Sequence, residues 1–324
     1  MRYWMAALLL IPDPGSRIPG SGVRDPGSGQ DNPLRVTIEA KRLNPAGKMP
    51  VRFMIENATE STVQVDEPAD WTTGLEIRDA QDKVVKDFGS AEPKGKVKLE
   101  ARAFTGRTAD IASALAGKTF DEGTFKLTWK HAGAVSKQIE VLLVRDYRVK
   151  IETNLGDISI DLLPENAPAN VMHFIGLVRK GFYDGKIFHR LIPGFMMQGG
   201  NSKKDGRGRY ALRVKGEFTQ LKHVRGTVAM ARYGDPDSAE TDFYICFADY
   251  PAGDGQYSII GQITRESDRV LGEAEQVNTD HNPCKGCGKA IDPKKPTEHC
   301  GKCHLDRPEI EIVMKKVTLT ERKD

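Results

Sequence analysis

Short stretches of alternating apolar and polar residues fill the chain from Leu34 to Val144. The segments LRVTIEAKRL, VRFMIEN, TGLEIRD and GTFKLTWKH each show the period of two expected of a half-buried strand. Turn-forming residues such as Asn44-Pro45-Ala46-Gly47 separate the segments. About seven short strands at this spacing predict an antiparallel, immunoglobulin-like β-sandwich over residues 34–145.

A second pattern covers residues 146–324. The segment YRVKIETNLGDISIDLL predicts two strands joined by a tight turn at Asn154-Leu155-Gly156. Apolar residues between Val171 and Val178 then recur at helical spacing, and Gly181 suits the end of that helix. Further short strands follow, up to EIEIVMKKVTLT. One helix against many antiparallel strands predicts a closed β-barrel with capping helices, so the whole chain should be mainly β.

Residues 1–33 are predicted to form an apolar leader followed by a flexible linker. A basic Arg2 and an apolar run from Trp4 to Ile11 resemble the start of a secretory signal, although the run is short and no clear cleavage site follows. An incidental apolar leader or a misassigned start codon is the alternative. Gly, Pro and Ser dominate residues 12–33, which predicts a flexible linker. Periplasmic or exported localisation is slightly favoured over a cytoplasmic one.

Composition narrows the functional classes. The chain has 324 residues, 39% hydrophobic and 29% charged, which suits two globular domains. The net charge of +3 gives no argument for a nucleic-acid partner. No apolar run approaches the ~18 residues that would span a bilayer. The sandwich segment has no clustered histidines, cysteines or paired acids, which argues against a catalytic role. The sequence does not identify a partner for it.

The segment FHRLIPGFMMQGGN, residues 188–201, combines a fixed cation with an apolar run. Arg190 and the amide of Gln198 stand among phenylalanine, leucine, isoleucine and methionine residues. A guanidinium keeps its charge at any ordinary pH, and burying one without a partner is expensive. In isolation the segment suits a strand and loop with core residues, so other parts of the chain decide its interpretation.

Three motifs occur together: FHRLIPGFMMQGGN, EFTQLKHVRGTVAMAR and DFYICFADYPAGDGQYSIIGQI. In this order and spacing they resemble the cyclophilin family of peptidyl-prolyl isomerases. The resemblance covers roughly Tyr147 to Val270 and the last strand. It implies a closed barrel that isomerises X–Pro bonds without a catalytic cofactor.

The resemblance also implies the site residues. An amide C–N bond has a rotation barrier of ~18–20 kcal/mol. A cation that donates toward the prolyl nitrogen favours the twisted state over the planar ground state, and Arg190 matches this role. Gln198 matches the amide that binds substrate backbone and steadies the arginine, and Phe195 matches the floor under the proline ring. The implied substrate-binding residues are Met196, Ala231, Tyr244 and Tyr257.

Several positions depart from the family's usual residues. Tyr257 stands where histidine is common, Asp242 where glutamine is common, and Tyr244 where phenylalanine is common. The Tyr244 hydroxyl must therefore find a partner. His189 and His223 are interpreted as structural hydrogen-bonding residues, because isomerisation transfers no proton.

Four of the five cysteines form an insert before the last strand, at about residues 278–307. Two residues lie between the cysteines of each pair, Cys284/Cys287 and Cys300/Cys303, and 12 residues separate the two pairs. Four thiolates in this arrangement favour a closed structural Zn²⁺ site. Because no candidate pocket residue lies in the insert, we expect metal removal to lower activity only modestly.

Two other interpretations of the insert stay open. The segment CGKCH also fits c-type haem attachment through Cys300 and Cys303 with His304 as axial ligand, but haem leaves the first pair unexplained. Disulfides or redox thiols are possible if the protein is exported. The fifth cysteine, Cys246, lies in an apolar run and should be a buried thiol.

The sequence therefore predicts a peptidyl-prolyl cis-trans isomerase that acts on protein clients and assists their folding. The alternative is a non-catalytic proline-binding or scaffolding module that uses the same groove. Retention of Arg190 with its neighbours favours the enzyme, because binding alone does not require a cation there.

Overall fold

The computed structural model describes residues 32–40, 42–44, 48–112, 115, 122–203, 208–210, 212–279 and 306–322. The leader, most of the linker and residues 280–305 of the insert lie outside this part of the chain. No helix among the described residues is long and apolar enough to cross a membrane.

In the described part of the chain, eleven strands precede the barrel, in sheets of three, six and two strands. The three-stranded sheet has the order β1-β3-β8, the six-stranded sheet β2-β11-β9-β5-β6 with β10 on β9, and β4 pairs with β7. One pairing, β2 with β11, is parallel, and the others are antiparallel. The strands are β1 (Leu34–Glu39), β2 (Arg42–Leu43), β3 (Pro50–Asn57), β4 (Val63–Glu67), β5 (Leu75–Asp79), β6 (Val84–Asp87), β7 (Gly95–Leu99), β8 (Phe104–Asp110), β9 (Gly123–His131), β10 (Ala134–Val135) and β11 (Ile139–Leu143).

Buried apolar residues of the described strands form a core between these sheets. Alternation in β3 buries Val51, Phe53 and Ile55, because successive side chains of a strand point to opposite faces. Trp129 of β9 is fully buried, with its ring 5.1 Å from that of Phe53. Its indole N–H donates to the Thr73 carbonyl at 2.8 Å, so the one polar atom of the ring is satisfied.

Eight strands then close into a barrel with the order β12-β13-β18-β16-β17-β15-β14-β19. Every pairing is antiparallel, which confirms the predicted barrel. The strands are β12 (Tyr147–Thr153), β13 (Asp157–Leu162), β14 (Lys186–Ile192), β15 (Met196–Gly199), β16 (Thr227–Met230), β17 (Phe243–Cys246), β18 (Ile259–Ile263) and β19 (Ile312–Glu321).

Two α-helices of the described residues cap the barrel: α1 (Pro168–Arg179) and α2 (Asp268–Glu275). Helix α1 begins with Pro168, whose missing N–H would have no intrahelical partner there. It is followed by Gly181 at φ +64°, a left-handed conformation that glycine adopts without strain. The apolar face of α1 packs on the barrel core through Val171, Phe174 and neighbouring residues.

Glu122 joins the sandwich to the barrel. Its carboxylate, 5% exposed, accepts hydrogen bonds from the Arg145 backbone N–H, the Tyr147 hydroxyl and the Arg179 guanidinium. Arg42 adds a second link, donating to Asp146 at 2.6 Å. We refer to Glu122, Arg145, Tyr147 and Arg179 as the junction network.

Candidate active site

One face of the hairpin β14–β15 carries the candidate residues. Arg190 lies directly opposite Gln198, and Ile192 lies opposite Met196. Cross-strand partners share a face, so these four side chains leave the hairpin on the same side. Leu191 and Met197 point the other way and belong to the main barrel core. The period of two therefore separates the residues of the site from the residues of the core.

Register extends this face across the sheet. Tyr244 of β17 pairs with Gln198, Ala229 of β16 pairs with Tyr244, and Ile259 of β18 pairs with Ala229. The result is a row of side chains over five adjacent strands of the barrel, beginning at Arg190. Residues from distant parts of the sequence thus meet on one surface.

A second apolar cluster lies on this face, distinct from the main core. Four partly buried residues pack against it and connect it to the surface: Leu163, Ala231, Tyr250 and Tyr257. A largely apolar surface with the guanidinium of Arg190 beside it suits a proline ring. The buried members are Ile192, Phe195, Met196, Ala229, Tyr244, Cys246 and Ile259.

Aromatic contacts fix the shape of the cluster. The ring of Phe195 meets that of Tyr250 edge-on at 4.7 Å, and Tyr244 meets Tyr257 edge-on at 5.5 Å. Edge-to-face pairs of this kind are favourable beyond their burial. Burial of Cys246 raises the pKa of its thiol to about 12, so the thiol stays protonated at neutral pH.

The hydroxyl of Tyr244 finds its partner in His223. The Tyr244 hydroxyl oxygen lies 3.0 Å from Nε2 of His223, and Nδ1 of His223 lies 3.2 Å from an Asp254 oxygen. Asp254 also accepts from the His223 backbone N–H at 2.8 Å. Burial lowers the pKa of His223, and Asp254 opposes this shift. A neutral imidazole that donates to Asp254 through Nδ1 then accepts the Tyr244 hydroxyl at Nε2.

Arg190 is held by Asp306. Its Nε–H donates to Oδ2 of Asp306 at 2.9 Å; the arginine side chain is 27% exposed and the aspartate side chain is fully buried. Asp306 lies within residues 278–307, so this segment contacts the catalytic candidate although none of the residues assigned to the pocket lies in it. The chain just before β19 runs beside β14, where the Leu191 backbone N–H donates to the Asp306 carbonyl at 2.7 Å, and this brings the two residues together.

Gln198 has a different partner from the one that the family resemblance implies. Its amide donates to Asp242 at 3.2 Å, while the guanidinium of Arg190 is anchored on Asp306. Asp242 stands where the family often has glutamine, and a carboxylate attracts the amide hydrogens. Steadying of Arg190 thus comes from Asp306.

Asp242 occupies a polar corner beside the apolar cluster. It accepts hydrogen bonds from Asn201 at 3.0 Å and from Gln198, and Nε2 of His189 lies 3.8 Å away. Burial raises the pKa of Asp242, against the lowering effect of these hydrogen bonds. A small cavity of about 80 Å³ adjoins this corner, lined by Gln198, Ala231, Arg232, Tyr233, Glu240 and Asp242.

The structure brings the candidate residues of the barrel together. Phe195, Met196 and Tyr244 are buried in the cluster, Ala231 and Tyr257 pack against it, and Gln198 adjoins it. Sequence reasoning missed Tyr250 and Asp306. The aromatic ring just before Pro251 was a signal for Tyr250, whereas the local pattern around Asp306 carried none.

The four insert cysteines and His304 lie outside the described residues. Within the described part of the chain, no group of three or more histidine, cysteine or acidic residues could hold a metal ion.

Comparisons with known proteins agree with this geometry. Residues 148–291 match the family described as "Cyclophilin type peptidyl-prolyl cis-trans isomerase/CLD". A peptidyl-prolyl cis-trans isomerase of Helicobacter pylori strain J99 is 40% identical over 129 residues, which cover 39% of this chain and 79% of the relative. The chain belongs to the cyclophilin-type peptidyl-prolyl cis-trans isomerase family.

Other similar proteins have the same description. A probable peptidyl-prolyl cis-trans isomerase of Brucella suis is 36% identical over 172 residues, which cover 49% of this chain and 83% of the relative. The crystal structure of a Cryptosporidium parvum cyclophilin matches with a TM-score of 0.45 and 26% identity, covering 55% of this chain and 99% of that one. The barrel of this chain is thus its isomerase domain, and the chain is an isomerase of peptidyl-prolyl bonds.

Proposed function

We propose that this cyclophilin acts on X–Pro bonds of protein clients and assists their folding, with Arg190 as the catalytic residue. The observation that carries the proposal is the position of Arg190 in one row with Gln198 and Tyr244, beside the apolar cluster. X–Pro isomerisation is slow enough to limit folding, so proteins with such steps are suitable clients.

The apolar cluster would hold the proline ring, and Arg190 would act on its nitrogen. Phe195 and Met196 supply the floor, and Tyr244 is a wall fixed by His223. A guanidinium N–H that donates to the prolyl nitrogen gains most when the lone pair is localised in the twisted state, which lowers the barrier. Gln198, beside the arginine, would bind the substrate backbone.

A refolding experiment tests the client proposal. The full chain should accelerate the slow phase of a protein whose refolding is limited by a trans-to-cis proline step. Arg190→Ala should not accelerate it, although the variant should still bind a proline peptide through the intact floor. Acceleration of small peptides without any effect on the refolding protein would contradict a role in folding. Equal acceleration by both proteins would contradict the assignment of Arg190.

We further propose that the four insert cysteines bind one structural Zn²⁺. The support is the donor set itself: Cys284, Cys287, Cys300 and Cys303 supply four thiolates, the set that closed tetrahedral zinc sites use. Haem bound through Cys300, Cys303 and His304, or disulfides, remain the alternatives that the test must separate.

Metal content decides between these alternatives. We expect the purified protein to carry about one zinc per chain, without a haem absorption band. Cys284→Ser should lose the metal, whereas Cys246→Ala should keep it, because Cys246 is a buried, protonated thiol of the barrel. Metal-free protein with the four thiols oxidised would favour disulfides, and a visible absorption band would favour haem.

A further inference from the structure

The neighbourhood of Arg190 beyond its own strand shows how the side chain is fixed. Strand β14 pairs with β19 only through Lys186–Phe188, where Phe188 lies opposite Ile312. Farther along β14, the backbone N–H of Leu191 donates to the carbonyl of Asp306 at 2.7 Å. Asp306 thus continues the pairing next to Arg190, although the two residues are 116 positions apart in the sequence.

Asp306 contacts this strand twice. Its carbonyl accepts from Leu191, and its carboxylate accepts from Nε of Arg190. Its φ of +47° lies in the left-handed region, which aspartate and asparagine tolerate better than most residues. This conformation allows the carbonyl and the carboxylate to serve neighbouring residues of the same strand.

A bond at Nε has a specific consequence for an arginine. The guanidinium has five N–H donors in a rigid plane, and four of them are on the two terminal nitrogens. A carboxylate on Nε restricts rotation of this plane while those four hydrogens stay available for other acceptors. An arginine side chain otherwise has large rotamer freedom, and a misplaced donor loses most of its effect on a transition state.

We infer that Asp306 is a positioning residue for isomerisation, which orients the guanidinium of Arg190 toward the prolyl nitrogen. The inference rests on the proposed role of Arg190. It goes beyond that role because the residue that sets the orientation, Asp306, lies in the segment before β19. This segment is outside the motifs that carry the family resemblance. Asp306 does not touch the substrate and acts through Arg190.

The conformation of Asp306 dictates which variants test the inference. Asp306→Asn keeps an oxygen acceptor and a residue that tolerates positive φ. Asp306→Gly removes the side chain without introducing backbone strain, whereas alanine would be strained. Asp161→Asn is the matched control, because Asp161 pairs with Arg148 at 2.6 Å on the barrel surface, away from the site.

We expect kcat/KM for an X–Pro peptide to fall about tenfold in Asp306→Gly and less in Asp306→Asn. The Kd for the peptide should change less than twofold in both, because the apolar floor is intact. Asp161→Asn should match wild type in rate and Kd. A rise in Kd by the same factor as the fall in kcat/KM would overturn the inference, because it would mean that Asp306 shapes the apolar floor.

The double variant Arg190→Ala/Asp306→Gly separates positioning from general stability. If Asp306 acts through Arg190, the double variant should be as slow as Arg190→Ala, measured by exchange spectroscopy at high enzyme concentration. A further tenfold loss would overturn the inference. Wild-type rates in Asp306→Gly, with a slow Arg190→Ala, would also overturn it and leave the proposed function standing. A fast Arg190→Ala would instead refute the proposed role of Arg190.

Discussion

Two arginines of this protein bond to buried carboxylates, one in the junction network and one at the active site. Arg179 bonds to Glu122 at 2.6 Å, and Arg190 bonds to Asp306 at 2.9 Å. The pairs have the same chemistry, yet their surroundings differ. Arg179 also donates to the Tyr147 hydroxyl at 2.7 Å and lies over its ring. Arg190 lies beside an apolar cluster that reaches the surface.

The difference teaches that residue types alone do not set the role of an ion pair. Glu122 collects three donors in the junction network, so its pairing with Arg179 serves to hold the sandwich against the barrel. Asp306 binds its arginine at Nε, which leaves the terminal nitrogens for a substrate. We propose that the groups near the terminal nitrogens decide whether such an arginine has a structural or a catalytic role.

The largest expected effect is on the isomerisation rate, and it tests whether the two arginines differ in function. Arg190→Ala should lower the isomerisation rate by about 10²–10³, because it removes the proposed donor to the prolyl nitrogen. Arg179→Ala should retain the wild-type rate within about twofold, since it contacts only the junction. A protease-coupled assay on an X–Pro peptide measures both. Equal losses in the two variants would contradict the distinction.

A second effect concerns the carboxylate of the junction. Glu122→Ala leaves the donors of Arg145, Tyr147 and Arg179 without their acceptor, and should lower the free energy of unfolding by about 1–3 kcal/mol. Glu165→Ala is the matched control: Glu165 is 55% exposed and pairs with Arg42 at 3.3 Å, so its loss should cost less than about 1 kcal/mol. Urea unfolding of the full chain measures both, and equal costs would show that burial of Glu122 is unimportant.

The smallest expected effect is the pH dependence of stability that His223, the partner of Tyr244, contributes. Burial lowers the pKa of His223, so the unfolded chain binds more protons between the ordinary histidine pKa near 6.5 and the lower folded value. The contribution of neutral His223 to stability is therefore complete above about pH 6.5 and falls as the pH falls through this window. Each unit of difference between the two pKa values corresponds to about 1.4 kcal/mol.

The variant His223→Gln isolates this dependence from that of other histidines, including His173, whose pKa is also lowered by burial. Urea midpoints measured between pH 8 and pH 5 should fall more steeply for wild type than for the variant. Identical slopes would mean that His223 does not titrate differently in the folded state. Tyr147 of the junction network should stay protonated in this range, because burial and the charge of Glu122 raise its pKa.

The sequence by itself predicted the closed barrel, the helix with apolar residues from Val171 to Val178 and most of the residues proposed for the pocket. The resemblance to the cyclophilin family grouped Arg190, Met196 and Gln198 before their contacts were known, and the period of two explains why their side chains share a face. The family motifs then supplied Tyr244 and Tyr257.

Only the tertiary structure decided what anchors these residues. The contact of Asp306 with Arg190 crosses 116 positions, and that of Tyr244 with His223 depends on the strand order of the closed barrel. Local periodicity specifies the face of a side chain, whereas its partner across the molecule is set by the pairing of distant strands and the path of the chain between them. For this reason the sequence identified the cation, and the fold identified the carboxylate that holds it.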